Sequence, residues 1–290
     1  MDSIASIARR AGVYRRIMRR GRENASARAP AVAGAFYPAD ADTLRREVSA
    51  LLAAARPPDL PAPPKALIVP HAGYVYSGAV AAAAYALLRE SCRTLRRVVL
   101  IGPSHRVPLA GIAVPEADYF LTPLGTIPLD LPLRSELLRR SGIVESDWAH
   151  ASEHCLEVQL PFLQLILPEF TLLPLVAGSA SPQQVASVLA DAWGGDETLV
   201  IVSSDLSHYH RYDTARMIDA ATCAAIRAFD TDLLDEQACG AVGINGLLYL
   251  ARELGLGTTE IARCNSGDTA GDRIRVVGYA AFALHTPRLL

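Results

Sequence analysis

The stretch RRVVLIGPSH, residues 96–105, decides the fold class, because it is a short apolar run that ends on a histidine. Two further runs end in the same way: KALIVPHAGYVYSG reaches His71, and LVIVSSDLSHYH reaches His208. These runs do not alternate with polar residues, and segments of helical character separate them. Such a pattern is typical of strands in a sheet that helices cover on both faces. We therefore predict an α/β fold, a single domain with a central, mostly parallel sheet covered by helices.

The size and composition of the chain fit a globular protein. Its 290 residues and hydrophobic content of 51% are sufficient for a large core. Since no apolar run approaches the roughly 18 residues of a membrane span, we expect no transmembrane segment. The five cysteines are widely spaced and include no C-x-x-C pair, which disfavours a disulfide framework or a zinc knuckle. We expect a reducing, cytoplasmic location.

The N-terminal segment differs in charge from the rest of the chain. Residues 1–28 contain eight arginines against Asp2 and Glu23. They are either an amphipathic basic helix on an anionic surface or a loosely docked extension. The remaining body has no basic stripe with interleaved aromatic residues, so we expect no nucleic-acid partner. The domain prediction is a basic extension over residues 1–28 and one α/β domain over residues 29–290.

Ligand sites in open α/β sheets form at the carboxyl ends of strands, where His71, His105 and His208 lie in the sequence. One such histidine alone is most simply a hydrogen-bonded loop residue. Three at equivalent positions favour a metal or acid–base site, because neutral imidazole is a common ligand of zinc, iron and copper. Asp205 precedes His208 by three residues, so it can orient that imidazole or accept its proton, and it can equally be a helix cap.

A second group of polar residues occurs in HASEHCLEVQ, residues 150–159, which runs into a helix predicted over residues 153–167. His150 and His154 are spaced i, i+4, and so are Glu153 and Glu157, which places each pair on one helical face. The order H-E-x-x-H is absent, and Glu153 can simply serve the helix N-terminus. The segment is a weak metal site by itself and a better contributor to the rim of a larger site.

These motifs resemble those of the MEMO family. The resemblance rests on VAGAFYP, PHAGYVYSG, GPSH followed by VPL and TPLG, SEHCLEVQLPFL, SSDLSHY and the ACG at Cys239, in this order over about residues 32–285. Prokaryotic members are similar to protein B of a three-part set, called AmmeMemoRadiSam. The resemblance therefore suggests an AMMECR-type protein and a radical-SAM protein as partners.

The resemblance also implies a fold like that of the class III extradiol dioxygenases, the LigB-like group, which hold a non-haem iron with two histidines and a carboxylate. It implies metal ligands at His71, His105 and Cys239, and an acid–base role for His208. Asp205 and His154 belong to the same motifs and are expected to take part in catalysis. Cys239 stands where a dioxygenase supplies its carboxylate, and a thiolate is softer and oxidisable, which disfavours plain catechol cleavage. Without the resemblance, Cys239 reads as a buried inert cysteine.

Two functions remain open from the sequence. The first is a redox metalloenzyme that acts with dioxygen on a small organic substrate, with Fe(2+) as the expected ion and Cu or Zn as alternatives. The second is a non-catalytic module in which the same pocket binds a metal or an anionic peptide, such as a phosphopeptide. Tyr74 and Tyr76 could wall a flat aromatic ligand or simply pack, so they do not separate the two.

Overall fold

Short apolar strands alternate with helices along most of the chain, as the sequence predicts. The computed structural model describes residues 26–287. Most of the predicted basic extension, residues 1–25, therefore lies outside the described residues, as do residues 288–290. The strands are β1 (Ala27–Arg28), β2 (Ala66–Val69), β3 (Arg97–Pro103), β4 (Ile112–Val114), β5 (Tyr119–Thr122), β6 (Gly125–Pro128), β7 (Ile143–Glu145), β8 (Thr171–Ala177), β9 (Thr198–Ser203), β10 (His208–His210), β11 (Gly257–Asn265) and β12 (Val276–His285). The helices are α1 (Ala41–Ala54), α2 (Tyr74–Ala86), α3 (Leu131–Leu137), α4 (Asp147–Ala151), α5 (Leu160–Ile166), α6 (Pro182–Asp191), α7 (Tyr212–Arg227) and α8 (Ala241–Glu253).

Nine strands form the main sheet, in the order β10-β12-β2-β9-β3-β8-β4-β7, and β11 also pairs with β12. The four neighbouring strands β2, β9, β3 and β8 are parallel to one another. Strands β12 and β4 flank them in antiparallel orientation. The α/β class is thereby confirmed, with a sheet that is parallel at its centre and mixed as a whole.

Helices cover the sheet on both faces, which explains why its central strands contain no polar alternation. Successive residues of β2 point to opposite sides: Leu67 and Val69 join a core with α1, α2 and α5. Ala66 and Ile68 join a second core with α3, α6, α7 and α8. Each fully buried leucine or valine contributes about 1.5–3 kcal/mol relative to an exposed one. The central strands are therefore strongly fixed in register.

Side-chain caps define where the amphipathic helices begin. Oδ1 of Asp40 accepts a hydrogen bond from the backbone N–H of Thr43 at the start of α1. At the start of α6, Ser181 and Gln184 satisfy each other's backbone N–H groups in a capping box. Both helices thus have a local sequence reason for their N-termini.

The helix predicted over residues 153–167 is wrong at its beginning. Residues 153–156 have no helical structure, a short 3-10 turn covers Glu157–Gln159, and α5 follows. Pro161 lies in the first turn of α5, where its missing N–H is not needed. The segment that carries Glu153 and His154 is therefore irregular, and its position depends on contacts with other parts of the chain.

A small sheet ties the beginning of the described chain to the body. Strand β1 pairs in parallel with β5, which forms a hairpin with β6. Arg28, at the end of the predicted extension, is buried at 7% exposure and forms an ion pair with Glu157. This arginine is thus part of the packed domain.

Candidate metal centre

Two histidines meet because of the order of the central strands. His71 follows β2 and His105 follows β3, and both of these strands pair in parallel with β9. The carboxyl ends of parallel strands lie at the same edge of a sheet, so the residues that follow them are close. The centroids of the two imidazole rings are 5.1 Å apart.

A third histidine completes the group from the irregular segment before α5. The ring centroid of His154 lies 5.4 Å from that of His71 and 4.7 Å from that of His105. One ring nitrogen from each of the three residues lies within 4.8 Å of the other two. The ring of Phe36 packs edge-on against His154 at 4.9 Å between centroids. The structure therefore gathers three imidazoles at the carboxyl edge of the sheet.

The hydrogen bonds around His71 determine its tautomer. The hydroxyl of Ser203 donates to the carbonyl of Cys155 at 2.6 Å, so its oxygen accepts from Nδ1 of His71 at 3.0 Å. Nδ1 then carries the proton, and Nε2 keeps its lone pair. Burial, followed by the neighbouring His105 and His154, lowers the pKa of His71 well below its usual value. His71 is therefore a neutral imidazole whose unprotonated Nε2 can bind a metal ion.

Glu153 orients the other side of the group. Its Oε1 accepts from Nδ1 of His105 at 2.9 Å, and its Oε2 accepts from the backbone N–H of His105 at 2.7 Å. Nδ1 of His154 lies 3.3 Å from Oε1. Burial alone would raise the pKa of Glu153, but the hydrogen bond from His105 and the nearby His154 imidazole outweigh it and hold that pKa well below its usual range. The carboxylate is therefore charged and its oxygens are occupied by N–H donors, and Nε2 of His105 remains available to an ion.

Cys239 and Asp205 approach the group from the side of His71. The Sγ atom of Cys239 lies 3.3 Å from Nε2 of His71, and Oδ1 of Asp205 accepts from the backbone N–H of His71 at 2.7 Å. Burial, followed by the charge of Asp205, raises the pKa of Cys239 to about 12. Burial likewise raises the pKa of Asp205 to about 6. The thiol is thus neutral beside the imidazole unless a bound cation stabilises the thiolate.

A cleft of about 850 Å³ opens above these residues. His208 lines its wall from β10 without joining the three-imidazole group. Tyr209, next to it, is 63% exposed, and the guanidinium of Arg275 lies over its ring at 4.9 Å from the centroid. The volume suits a small ligand.

The structure thus brings five of the six sequence-predicted site residues around one point and places the sixth on the wall of the cleft. His154, predicted as a catalytic residue, lies among the imidazoles as closely as His71 and His105 do. His150, by contrast, points away: its Nε2 lies 3.0 Å from the carbonyl oxygen of Ala113. The i, i+4 pairing of His150 with His154 is therefore wrong, because α4 ends at Ala151, before it reaches His154.

Two orienting residues were missed or undervalued from the sequence. Ser203, the last residue of β9, gave no chemical signal apart from its place at a strand end. Glu153 was interpreted as a helix-terminus residue, whereas it binds His105 and the backbone N–H groups of His154 and Cys155 at 2.9 and 3.1 Å. Its place directly before His154 was the available signal.

The donor set fits a transition-metal ion. His71 and His105 each have Nδ1 engaged by a protein oxygen, which leaves Nε2 to face an ion, and in His71 that atom already contacts the sulfur of Cys239. The third donor near them is the imidazole of His154, since the oxygens of Glu153 are occupied by N–H donors. Imidazole with an adjacent thiol suits iron, copper or zinc better than magnesium or calcium.

The fold and this imidazole cluster define an α/β protein with a candidate metal centre at the carboxyl edge of its sheet. The model of the Memo-like protein family matches residues 28–283, so the chain belongs to that family. This confirms the family resemblance seen in the sequence motifs.

Curated relatives extend over nearly the same length. A MEMO1 family protein of Ignicoccus hospitalis is 38% identical over 90% of this chain and 99% of its own. A MEMO1 family protein of Methanopyrus kandleri is 34% identical over 88% and 97%, and one of Aquifex aeolicus is 35% identical over 87% and 97%. Among solved structures, an uncharacterized Escherichia coli K12 protein, JW3007, aligns with a TM-score of 0.47 and 12% identity over 75% of this chain and 98% of its own. No helix within residues 26–287 is long and apolar enough to cross a membrane.

Proposed function

We propose that this protein binds one redox-active metal ion, Fe(2+) in the first instance, and uses it for oxygen-dependent oxidation of a small organic substrate in the cleft. The ion is held by His71, His105 and His154, with Cys239 as a further ligand on the side of His71. The observation that carries this proposal is the convergence of three imidazoles, one nitrogen of each within 4.8 Å of the others. Only His71 of the three is buried, whereas His105 and His154 are open to the cleft, so an ion can reach the group from solvent.

The residues around the ion have separate tasks. Ser203 and Glu153 hold the imidazoles of His71 and His105 with their free nitrogens available. A bound ferrous ion would supply a coordination position for dioxygen and electrons for its reduction. Asp205 accepts a hydrogen bond from the backbone N–H of His71 and lines the same cleft, so it is placed to exchange a proton there. His208 moves protons to or from a substrate that occupies the cleft. The exposed side chains of Tyr76 and Tyr209 line the same cleft.

A second candidate function is non-catalytic metal handling, and one contact favours it. The thiol of Cys239 lies 3.3 Å from Nε2 of His71, so a soft ion such as Cu(I) would find sulfur and imidazole ligands together. In this case the cleft admits the ion or an anionic peptide, and no substrate is turned over. AMMECR-type and radical-SAM proteins are the partners that we propose for either function.

The decisive experiment is metal analysis by elemental mass spectrometry after anaerobic purification. The parent protein is compared with His71→Ala, His105→Ala, His154→Ala and Cys239→Ser. His210→Ala serves as the control, because His210 lines the same cleft outside the imidazole group. We expect near-stoichiometric iron in the parent and the control and its loss in the three histidine variants.

The other outcomes separate the candidates. Iron with substrate-dependent oxygen uptake supports the oxidase function, whereas stoichiometric copper without oxygen uptake supports metal handling. Metal retained by all three histidine variants would place the ion elsewhere. A parent protein that takes up neither ferrous nor cuprous ions on reconstitution would overturn both functions.

A further inference from the structure

Arg28 connects the beginning of the described chain to the segment that carries Glu153 and His154. Its guanidinium donates to three acceptors: Nε to the carbonyl of His150 at 2.8 Å, Nη2 to the carbonyl of Glu153 at 2.6 Å, and Nη1 to Oε2 of Glu157 at 2.7 Å. The planar fork of a guanidinium is needed to reach three oxygens in fixed directions. Arg28 is thereby bound to both ends of the irregular segment.

This segment lacks the backbone hydrogen bonds of a helix. Residues 153–156 have no regular structure, so the buried carbonyl of Glu153 needs a donor from another part of the chain. Arg28 supplies that donor. The carboxylate of Glu153 accepts the Nδ1 proton of His105. The guanidinium of Arg28 therefore binds the backbone of the same residue whose side chain orients that imidazole.

Glu157 makes this connection rigid because its carboxylate is buried and accepts four hydrogen bonds. Its side chain has no exposed surface, and it accepts from the backbone N–H groups of Ala31 and Val32 at 2.7 and 3.0 Å. The hydroxyl of Tyr37 also donates to it, at 2.5 Å. Burial, followed by the hydrogen bond to Glu157, raises the pKa of Tyr37, so the phenol keeps its proton. Each nitrogen of the guanidinium thus donates to an acceptor and both oxygens of the carboxylate are occupied, which favours a stable buried pair.

The stretch that follows Arg28, residues 28–37, also contacts the site directly. Phe36, next to Tyr37, packs on the ring of His154, and its carbonyl accepts from the backbone N–H of Tyr74 at 2.8 Å. Residues 28–37 therefore contact the metal centre at two places, through Arg28 at the backbone of Glu153 and through Phe36 at the ring of His154.

We infer that Arg28, together with Glu157, is a positioning residue of the metal centre: it fixes the backbone of Glu153 and so the orientation of His105 and His154. The inference rests on the proposed function, because it assigns a role within that same centre. Arg28→Lys keeps the positive charge but has one nitrogen in place of three, so the carbonyls of His150 and Glu153 and the carboxylate of Glu157 cannot all keep a donor in their present positions.

The test is a titration of metal-free protein with Co²⁺, whose visible absorption reports the ligand geometry and whose binding curve gives the dissociation constant. The matched control is Arg97→Lys, since Arg97 also pairs with a buried carboxylate, Asp130, at 2.6 Å, at the opposite edge of the sheet. Thermal unfolding of each variant shows how much stability it has lost, and the titration is made well below the lower transition temperature.

We expect Arg28→Lys to bind Co²⁺ roughly 10- to 100-fold more weakly than the parent, with a changed absorption spectrum. We expect Arg97→Lys to keep the parent's affinity and spectrum even if it loses similar stability. Glu157→Gln removes the charge with almost no change of volume, and we expect it also to weaken Co²⁺ binding. This variant keeps the test decisive if Arg28→Lys does not fold.

Two results would overturn the inference in distinguishable ways. If the parent binds Co²⁺ and the Arg28 and Glu157 variants bind it with the same affinity and spectrum, the positioning role is wrong and the metal centre stands. If the parent itself binds no Co²⁺, the proposed function fails, and the role of Arg28 fails with it.

Discussion

The sulfur of Cys239 lies 3.3 Å from Nε2 of His71, although 168 positions separate the two residues in the sequence. They meet because β9, the strand next to β2, leads into the loop of Asp205, whose carbonyl accepts from the backbone N–H of Cys239 at 3.3 Å. A thiol in contact with the free nitrogen of an imidazole can compete for a cation or share it, which makes this pair the most informative one for metal selectivity.

Substituting Cys239 by serine should change which metal is bound more than whether metal is bound. A hydroxyl is a poor ligand for a soft ion, whereas the three imidazoles remain. We expect Cu(I) affinity to fall at least about tenfold, that is about 1.4 kcal/mol, with a smaller effect on Fe(2+). Competition with a chromophoric Cu(I) chelator measures this, and Cys264→Ser provides a control at a partly buried cysteine outside the cleft. Equal Cu(I) affinities would show that sulfur is not a ligand.

Replacing Glu153 by glutamine should weaken metal binding without removing a ligand. The amide has one acceptor oxygen instead of two, so it cannot serve both Nδ1 of His105 and the three backbone N–H groups, and the imidazole loses its fixed orientation. We expect affinity to fall about 10- to 100-fold. Calorimetric titration with Zn²⁺ measures the effect, and Glu169→Gln is the control, because Glu169 is exposed and lines a different cleft. An unchanged affinity would sink the orienting role.

His150 should make the protein sensitive to acid. Burial lowers its pKa to about 4, from 6.5 in the unfolded chain. Nδ1 of His150 has no hydrogen-bond partner among residues 26–287, so protonation would bury an unpaired charge. Above pH 6.5 the residue is neutral in both states and has no effect. As the pH falls from 6.5 towards 4, only the unfolded chain takes up the proton, so the free energy of unfolding decreases by as much as about 3 kcal/mol.

Urea denaturation of metal-free protein at pH 7, 5.5 and 4.5 tests this contribution. His150→Gln should lose less stability between these values than the parent does. His285→Gln is the matched control, because both ring nitrogens of His285 have partners, the hydroxyl of Thr259 and the carbonyl of Thr286. Identical pH profiles for the parent and His150→Gln would contradict the assignment.

Gly102, near the end of β3, should not tolerate a side chain. A Cβ at this position would lie 2.5 Å from Sγ of Cys155 and 3.0 Å from Cδ2 of Leu156. We expect Gly102→Ala to lower the free energy of unfolding by about 1–3 kcal/mol through overpacking. Removing the sulfur in Gly102→Ala/Cys155→Ala should recover part of that loss. A double-mutant cycle from chemical denaturation measures the coupling, and strictly additive effects would falsify the predicted clash.

The central strands were predictable because each is a mostly apolar run that is buried except at its ends. Strand β11 was not predicted, since GTTEIARCN is largely polar and only partly buried, and its pairing with β12 supplies the order. The irregular backbone at residues 153–156 was interpreted as helix. Contacts from Arg28, more than 120 positions away, hold it in another conformation, and no local pattern shows them.

The candidate site was predictable in part for the same reason. His71 and His105 follow apolar strands, so topology alone places them at one sheet edge. The proximity of His154 depends on how the irregular segment packs, which spacing does not reveal. His208 follows a strand as well, yet the chain continues into β10, and the pairing of that strand with β12 draws His208 to the cleft wall. Family motifs indicated these residues without giving their distances.

The position of β2 in the sheet has a consequence for biosynthesis. This strand is made early, but its two neighbours are β9 and β12, which come from the last third of the chain. A nascent chain that has produced only His71 and His105 therefore has no sheet edge on which to hold them, and contacts between such distant segments form slowly. We expect the emerging apolar strands to need protection on the ribosome, and metal to enter only after the polypeptide has been released and has closed its sheet.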